Sequence, residues 1–258
     1  MASSKLPALK IFKAGFVKSP QIIKSMFTVF WPVIILGLVA SYFTLLSSTT
    51  NNSMGAIPAS QFYSLALWFF FYVAMILVNL CWIEHVVKKQ PPILNFDARV
   101  PTAFFYGLIV LFLVYAPIIL IFIGFTLVII EGEMNSWILF VIPVILSIIW
   151  IVTTMRFSLV IPAIALNNRN TRLGRSWSLT KGYQTKIFLL MCLPLICIQV
   201  PINLIQSMLG IIIFDSISYM IVLFVIIIMS MYGAMIISEI TARLFIFFHA
   251  PEKLDEYL

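Results

Sequence analysis

Six long apolar runs, divided by short polar connections, constrain this chain more than anything else in it. They are Met26–Leu46, Phe62–Ile83, Ala103–Ile130, Trp137–Leu159, Ile187–Leu209 and Ile217–Ser238. About 20 apolar residues make a helix long enough to cross the hydrocarbon core of a bilayer. None of the runs alternates with the two-residue period of a barrel strand. In lipid the backbone must satisfy its own hydrogen bonds, which leaves helices. The expected fold class is therefore all-α: a polytopic transmembrane bundle of six spans, with basic amphipathic helices at the interface on the cytoplasmic side. Residues 1–23 form the basic amphipathic segment, 24–250 the bundle and 251–258 a short tail, all in one domain. Composition agrees. At 62% hydrophobic and 10% charged residues, the chain has too few charges to cover a water-soluble globule and too much apolar side chain to stay disordered.

Charge orients the bundle. All 16 Lys and Arg residues lie in the N-terminal segment, in the connection after span two, at the end of span four and in the connection after it, or near the C-terminus. The connections near Ser48–Ser60, Glu131–Ser136 and Gly210–Ser216 hold none. The positive-inside rule then places both termini in the cytoplasm, and adding or removing one span would destroy the segregation. The net charge of +7 expresses this bias and an attraction to anionic lipid headgroups, not a nucleic-acid partner. The first run is longer than a signal-peptide core, and Leu38-Val39-Ala40 is a poor cleavage site, so it is expected to remain as a span. Cys81, Cys192 and Cys197 all lie in apolar runs and give neither a disulfide framework nor metal spacing.

Two cytoplasmic segments are amphipathic. Over Lys5–Lys18, Leu6, Leu9, Phe12 and Phe16 fall near one helical face with Lys10 and Lys13 off it, and Pro20 and Gln21 are expected to break the helix before span one. The second segment carries an interfacial motif of Arg175, Ser176, Trp177, Leu179, Lys181 and Gly182, with Thr171 able to cap and Gly182 able to terminate. Both read as surface anchors in the headgroup layer.

Ionisable residues at membrane depth are costly and mark candidate sites. Glu84, His85, Arg156, Glu239 and Arg243 all lie toward the cytoplasmic ends of spans two, four and six and can form one cluster, with Arg156 paired to Glu239. The competing reading has each snorkelling separately, Glu239 satisfied by Arg243 at i+4. In span five, Gln199, Asn203 and Gln206 form a polar stripe beside Pro194 and Pro201. That stripe suits either helix packing or a solute path. Ser230, Ala234, Ser238 and Thr241 on span six, and Gly37 and Ser41 on span one, are small enough to let helices approach closely. No nucleotide loop, HExxH or CxxC is present, and the two His residues cannot build a hydrolytic triad. No enzyme activity, cofactor or metal is expected.

The stretch Arg156-Phe-Ser-Leu-Val-Ile-Pro162-Ala163, followed by Arg175-Ser176-Trp177-Ser178-Leu179-Thr180-Lys181-Gly182, resembles bacterial six-span inner-membrane proteins related to the membrane domain of glycerophosphoryl diester phosphodiesterases. Those proteins pair an Arg…Pro-Ala helix end with a Ser-Trp-x-Leu-x-x-Gly entry to the next span. Asn167 or Asn168 stands where the family often has an acid. No counterpart of the phosphodiesterase catalytic domain lies in these residues, so that activity does not carry over and the resemblance implies a bacterial inner membrane and little else. The expected function is a membrane scaffold or accessory protein binding lipid headgroups, a membrane-protein partner or a second copy of itself. The alternative is a transporter of a small or amphiphilic solute through span five.

Overall fold

The computed structural model describes residues 6–49, 59–109, 145, 156, 158–168, 173–209 and 216–258. Among these the regular structure is helical, with no strand. In chain order the helices are α1 Ala8–Val17, α2 Ser19–Thr28, α3 Trp31–Thr49, α4 Ala59–Lys88, α5 over residues 99–109, α6 Val160–Ala165, α7 Leu173–Leu179, α8 Gln184–Leu209 and α9 Ser216–His249, closed by a 3₁₀ turn at Pro251–Glu256. Three helical stretches are long and apolar enough to cross a membrane, Gln61–Lys88, Gln184–Ile205 and Met220–His249. A fourth is added if Ser19–Thr28 and Trp31–Thr44, bent by 72°, count as one span.

That bend corrects the first expected span. The chain does break beside Pro20, where α1 ends at Val17 and α2 begins at Ser19, but it does not then run straight from Met26. Pro20 lies in the first turn of α2, where a missing N–H costs nothing. A second break falls at Val29–Phe30, because Pro32 has no N–H to continue the ladder and its ring would collide with the carbonyl four residues back. The helix restarts at Trp31, with Pro32 in the tolerant first turn. The Phe30 amide reaches back five residues to the Ser25 carbonyl (3.1 Å), and the Val33 amide takes up the Phe30 carbonyl (3.0 Å). The sixth expected span is also corrected: α9 does not stop at Ser238 but continues to His249. Spans three and four lie largely outside the described residues, as do the three connections free of basic residues, apart from the helix ends at Ser48–Thr49, Ala59–Ser60 and Ser216.

Close approaches fix the directions of the helices. A Cβ on Gly37 of α3 would lie 2.8 Å from the Phe71 ring of α4 and 3.2 Å from Ile227 of α9, so three helices meet where a side chain is missing. Small residues matter here because lipid gives helices no hydrophobic reason to associate and close packing must do so. Farther along, Thr44 hydrogen-bonds Ser64 (2.7 Å), which makes α3 antiparallel to α4. Trp82 meets Glu239, so α4 and α9 run in the same direction. Ile198 packs on Gly233 and Tyr183 on Phe247, so α8 runs against α9.

The bundle has two unlike ends. From Met235 to Phe247 every residue of α9 is buried except half-buried Ile237, and in α4 Val78, Leu80–Ile83 and Val86 are buried. Earlier in the same helices, Phe62, Leu65, Phe70 and Ile221 are more than half exposed. The buried end is wrapped by α1, α2, α6, the α7–α8 turn and the 3₁₀ turn. Gly15 of α1 seats directly on Ile240. α1 thus docks through Leu6, Ile11 and Ala14, with Phe12 and Phe16 half-buried, whereas Leu9, expected on the same face, is exposed. The reason is geometric: Leu9 sits two positions from Ile11, too far round a helix of 3.6 residues per turn to share its face.

Candidate functional site

The polar side chains of the wrapped end sort into three groups. At the centre, Glu239 and Arg243 of α9 form an ion pair of 2.7 Å, each side chain 2–3% exposed. The second carboxylate oxygen accepts the Trp82 indole N–H at 2.7 Å. Arg243 Nε donates to the Tyr257 carbonyl at 2.8 Å, and the Tyr257 hydroxyl donates to the Val87 carbonyl at 3.0 Å. The tail is therefore pinned over the pair from both sides of its last residues. Lys89 reaches over the Tyr257 ring, 4.4 Å from its centroid. His85 lies against Trp82 at 4.8 Å and bonds the Gln90 carbonyl. A small cavity of about 280 Å³ opens beside this group, toward Lys18, Lys89 and Glu256. Buried charges persist when they are paired and hydrogen-bonded on every side, and this pair meets that condition with groups from α4, α9 and the tail.

The second group joins α4, α5 and α6 through Arg99. Its Nη1 donates to Glu84 (2.8 Å) and to the Ala165 carbonyl (2.6 Å), its Nε to Asp97 (2.7 Å), and Nη2 lies 2.6 Å from Asp97. Lys88 also pairs with Glu84. Asp97 accepts the Arg99 backbone N–H at 2.9 Å, the N-cap arrangement that satisfies one orphan donor of a helix. The Arg99 guanidinium holds the Asp97 carboxyl below its ordinary range, and Asp97 in turn raises Arg99 above its own. A cavity of about 660 Å³ lies against this clamp, between Lys88, Thr102, Tyr106, Ala163 and Asn167.

The third group surrounds Arg156, which is 6% exposed. Its Nη1 donates to the Trp177 carbonyl at 2.9 Å, and its guanidinium sits 5.0 Å from the Trp177 ring centroid. With its amide oxygen facing the guanidinium, Gln184 accepts from Nε at 3.0 Å and from Nη2. Ser176 donates to the Arg156 carbonyl at 2.5 Å, and Thr180 donates back to Ser176 at 2.9 Å. Gly182 follows with φ +88°, a left-handed turn that glycine adopts without strain, and α8 begins two residues later. Arg175 and Lys181 point outward, and Trp177 is 42% exposed.

The five residues expected to cluster are thus divided. Glu239 and Arg243 pair with each other, Glu84 joins Arg99, and Arg156 is engaged by α7 and Gln184. The Arg156–Glu239 pairing does not form, because the Glu239 carboxylate is already occupied by Arg243 and Trp82. Of the span-five stripe, Asn203 is exposed, and the side chains of Gln199 and Gln206 lie outside the described residues, as do Thr171 and Arg172. Sequence reasoning missed Trp82, Asp97, Arg99 and Tyr257. The available signal was Asp97-x-Arg99 following Pro91-Pro92, a charged pair where a span is about to start. Among the described residues no group of His, Cys, Asp and Glu could hold a metal ion. No family model, curated protein or solved structure matches the chain.

Proposed function

We propose that this is a non-enzymatic, six-span protein of the bacterial inner membrane, with both termini cytoplasmic, that serves as a scaffold or accessory component by holding anionic lipid headgroups against its basic end. The observation that carries this reading is the set of exposed cations Lys10 and Lys13 on α1, Lys88 and Lys89 at the end of α4, and Arg175 and Lys181 in and after α7, all on the elements at the buried ends of α4 and α9. Each such cation near an anionic surface contributes about 1 kcal/mol of attraction. The resemblance to membrane domains of glycerophosphoryl diester phosphodiesterases points to the same membrane. A protein partner or a second copy would meet the same face.

The test is reconstitution into liposomes containing labelled phosphatidylglycerol or labelled phosphatidylcholine. Energy transfer from the tryptophans is expected to be stronger to phosphatidylglycerol and to fade with added salt. Equal transfer to both lipids would overturn the reading. Transport through the fifth span rests, among the described residues, on Asn203 and on Pro194 and Pro201 inside α8. A flux assay on the same liposomes distinguishes it, since a scaffold leaves solute retention unchanged.

A further inference from the structure

The larger cavity has features that neither the fold nor the clamp requires. Arg99 is spent: its donors go to Asp97, Glu84 and Ala165. The Glu84 and Asp97 side chains are 24% and 34% exposed, and Lys88, paired with Glu84, is 43% exposed; a carboxylate oxygen that holds one bond can still accept a second donor. Two carboxylates and two cations line the space, so its formal charge is zero. Its volume of about 660 Å³ is in the range of sites for small organic ligands.

The wall continues as an apolar track. α5 packs on α4 through Phe104 and Gly107, where a Cβ on Gly107 would come within 2.9 Å of the Tyr72 hydroxyl, and Val100 and Ala103 are buried on the same face. The opposite face carries Thr102 and Tyr106, which line the cavity, and then Phe105 and Ile109, which are 65% and 51% exposed. One helix face therefore leads from a charged pocket directly onto exposed hydrocarbon side chains.

We propose that this cavity binds a zwitterionic aminophospholipid, its primary ammonium against Glu84 and Asp97, its phosphate against Lys88 and the Asn167 amide, and its acyl chains along Phe105 and Ile109. This deepens the lipid-binding reading above and rests on the chain's lying in a bilayer. A purely anionic headgroup would meet the Glu84 and Asp97 carboxylates beside Lys88, and a purely cationic one would meet Lys88 beside the carboxylates. A headgroup with both charges meets both. A primary ammonium also donates hydrogen bonds to the carboxylates, which a quaternary one cannot.

Native mass spectrometry of the full chain in detergent tests this, with phosphatidylethanolamine, phosphatidylcholine, phosphatidylglycerol and soluble glycerophosphoethanolamine added separately. Phosphatidylethanolamine is expected to be retained about tenfold more tightly than the other three. Thr102→Trp, which fills the cavity from an exposed position, is expected to abolish that preference. Equal or tighter binding of phosphatidylglycerol overturns the proposal, as does equal binding of the soluble headgroup, which would make the apolar track irrelevant. The headgroup series on the unaltered chain decides the matter even if the Trp variant misfolds. Lys10→Gln separates the two readings: it lies away from the cavity and is expected to weaken phosphatidylglycerol enrichment in liposomes while leaving the phosphatidylethanolamine complex intact.

Discussion

A single buried carboxylate governs the packed end. Glu239 has Arg243 on one oxygen and Trp82 on the other, so removing one partner leaves charge without compensation. Arg243→Met is expected to cost about 3–5 kcal/mol, and the double variant Glu239→Gln/Arg243→Met to recover much of that loss. Thermal unfolding in detergent reads both. Arg156→Ala is expected to add to Glu239→Ala without coupling, because the two side chains share no partner. Glycine gives a second test. Gly37→Ala must displace the Phe71 ring and is expected to destabilise by about 1–3 kcal/mol. Gly174→Ala, with open space around its position, is expected to stabilise α7 by about 0.5–1 kcal/mol. If the two substitutions gave equal melting temperatures, the close α3–α4–α9 approach would be wrong.

Among the elements, α5 shows how a polar clamp can begin a helix. Asp97 caps it and Arg99 ties it to α4 and α6. Because Arg99 holds the Asp97 carboxyl below its ordinary range, the contribution of Asp97 to the clamp is complete above the ordinary aspartate value of about 3.9. It is lost as pH falls through the lowered one. Asp97→Asn is expected to flatten this acid limb of stability while keeping the cap, and Asp97→Ala to lose about 1 kcal/mol at neutral pH as well. Melting curves across acid pH distinguish the two. The helices of spans two and five were legible in the sequence, since twenty apolar residues in lipid have few alternatives. The end of α9 was not. Glu239 and Arg243 interrupt the apolar run and so look like a boundary. One turn apart on a single helix, they neutralise each other, and the helix continues through them. The tail's grip on Arg243, fourteen positions away, leaves no trace in hydropathy. The break at Val29–Phe30 was signalled by Pro32, but a proline six residues inside an apolar run reads equally well as a kink.

For the molecule as a whole, the proposed six-span arrangement predicts which side each connection occupies. Reporters fused near Asn52, Asn135 and Asp215 are expected to be exported, and those near Lys89, Asn168 and the C-terminus to stay in the cytoplasm. An exported C-terminus would end that arrangement. The length of α9 has another consequence. Its 34 residues measure about 51 Å at 1.5 Å per residue, against a hydrocarbon core of about 30 Å. In the proposed bilayer only the earlier part would offer side chains to lipid. The remainder is apolar because protein surrounds it. Hydrophobic length in this helix therefore does not set how deep the protein floats. In the proposed bilayer a thicker core would reach the wrapping elements rather than more of α9, and the vertical position would be decided by where the lysine-bearing elements meet the headgroups. Such a protein is expected to tolerate a series of acyl-chain lengths with little change in melting temperature, where a bundle of tightly matched spans would show a sharp optimum.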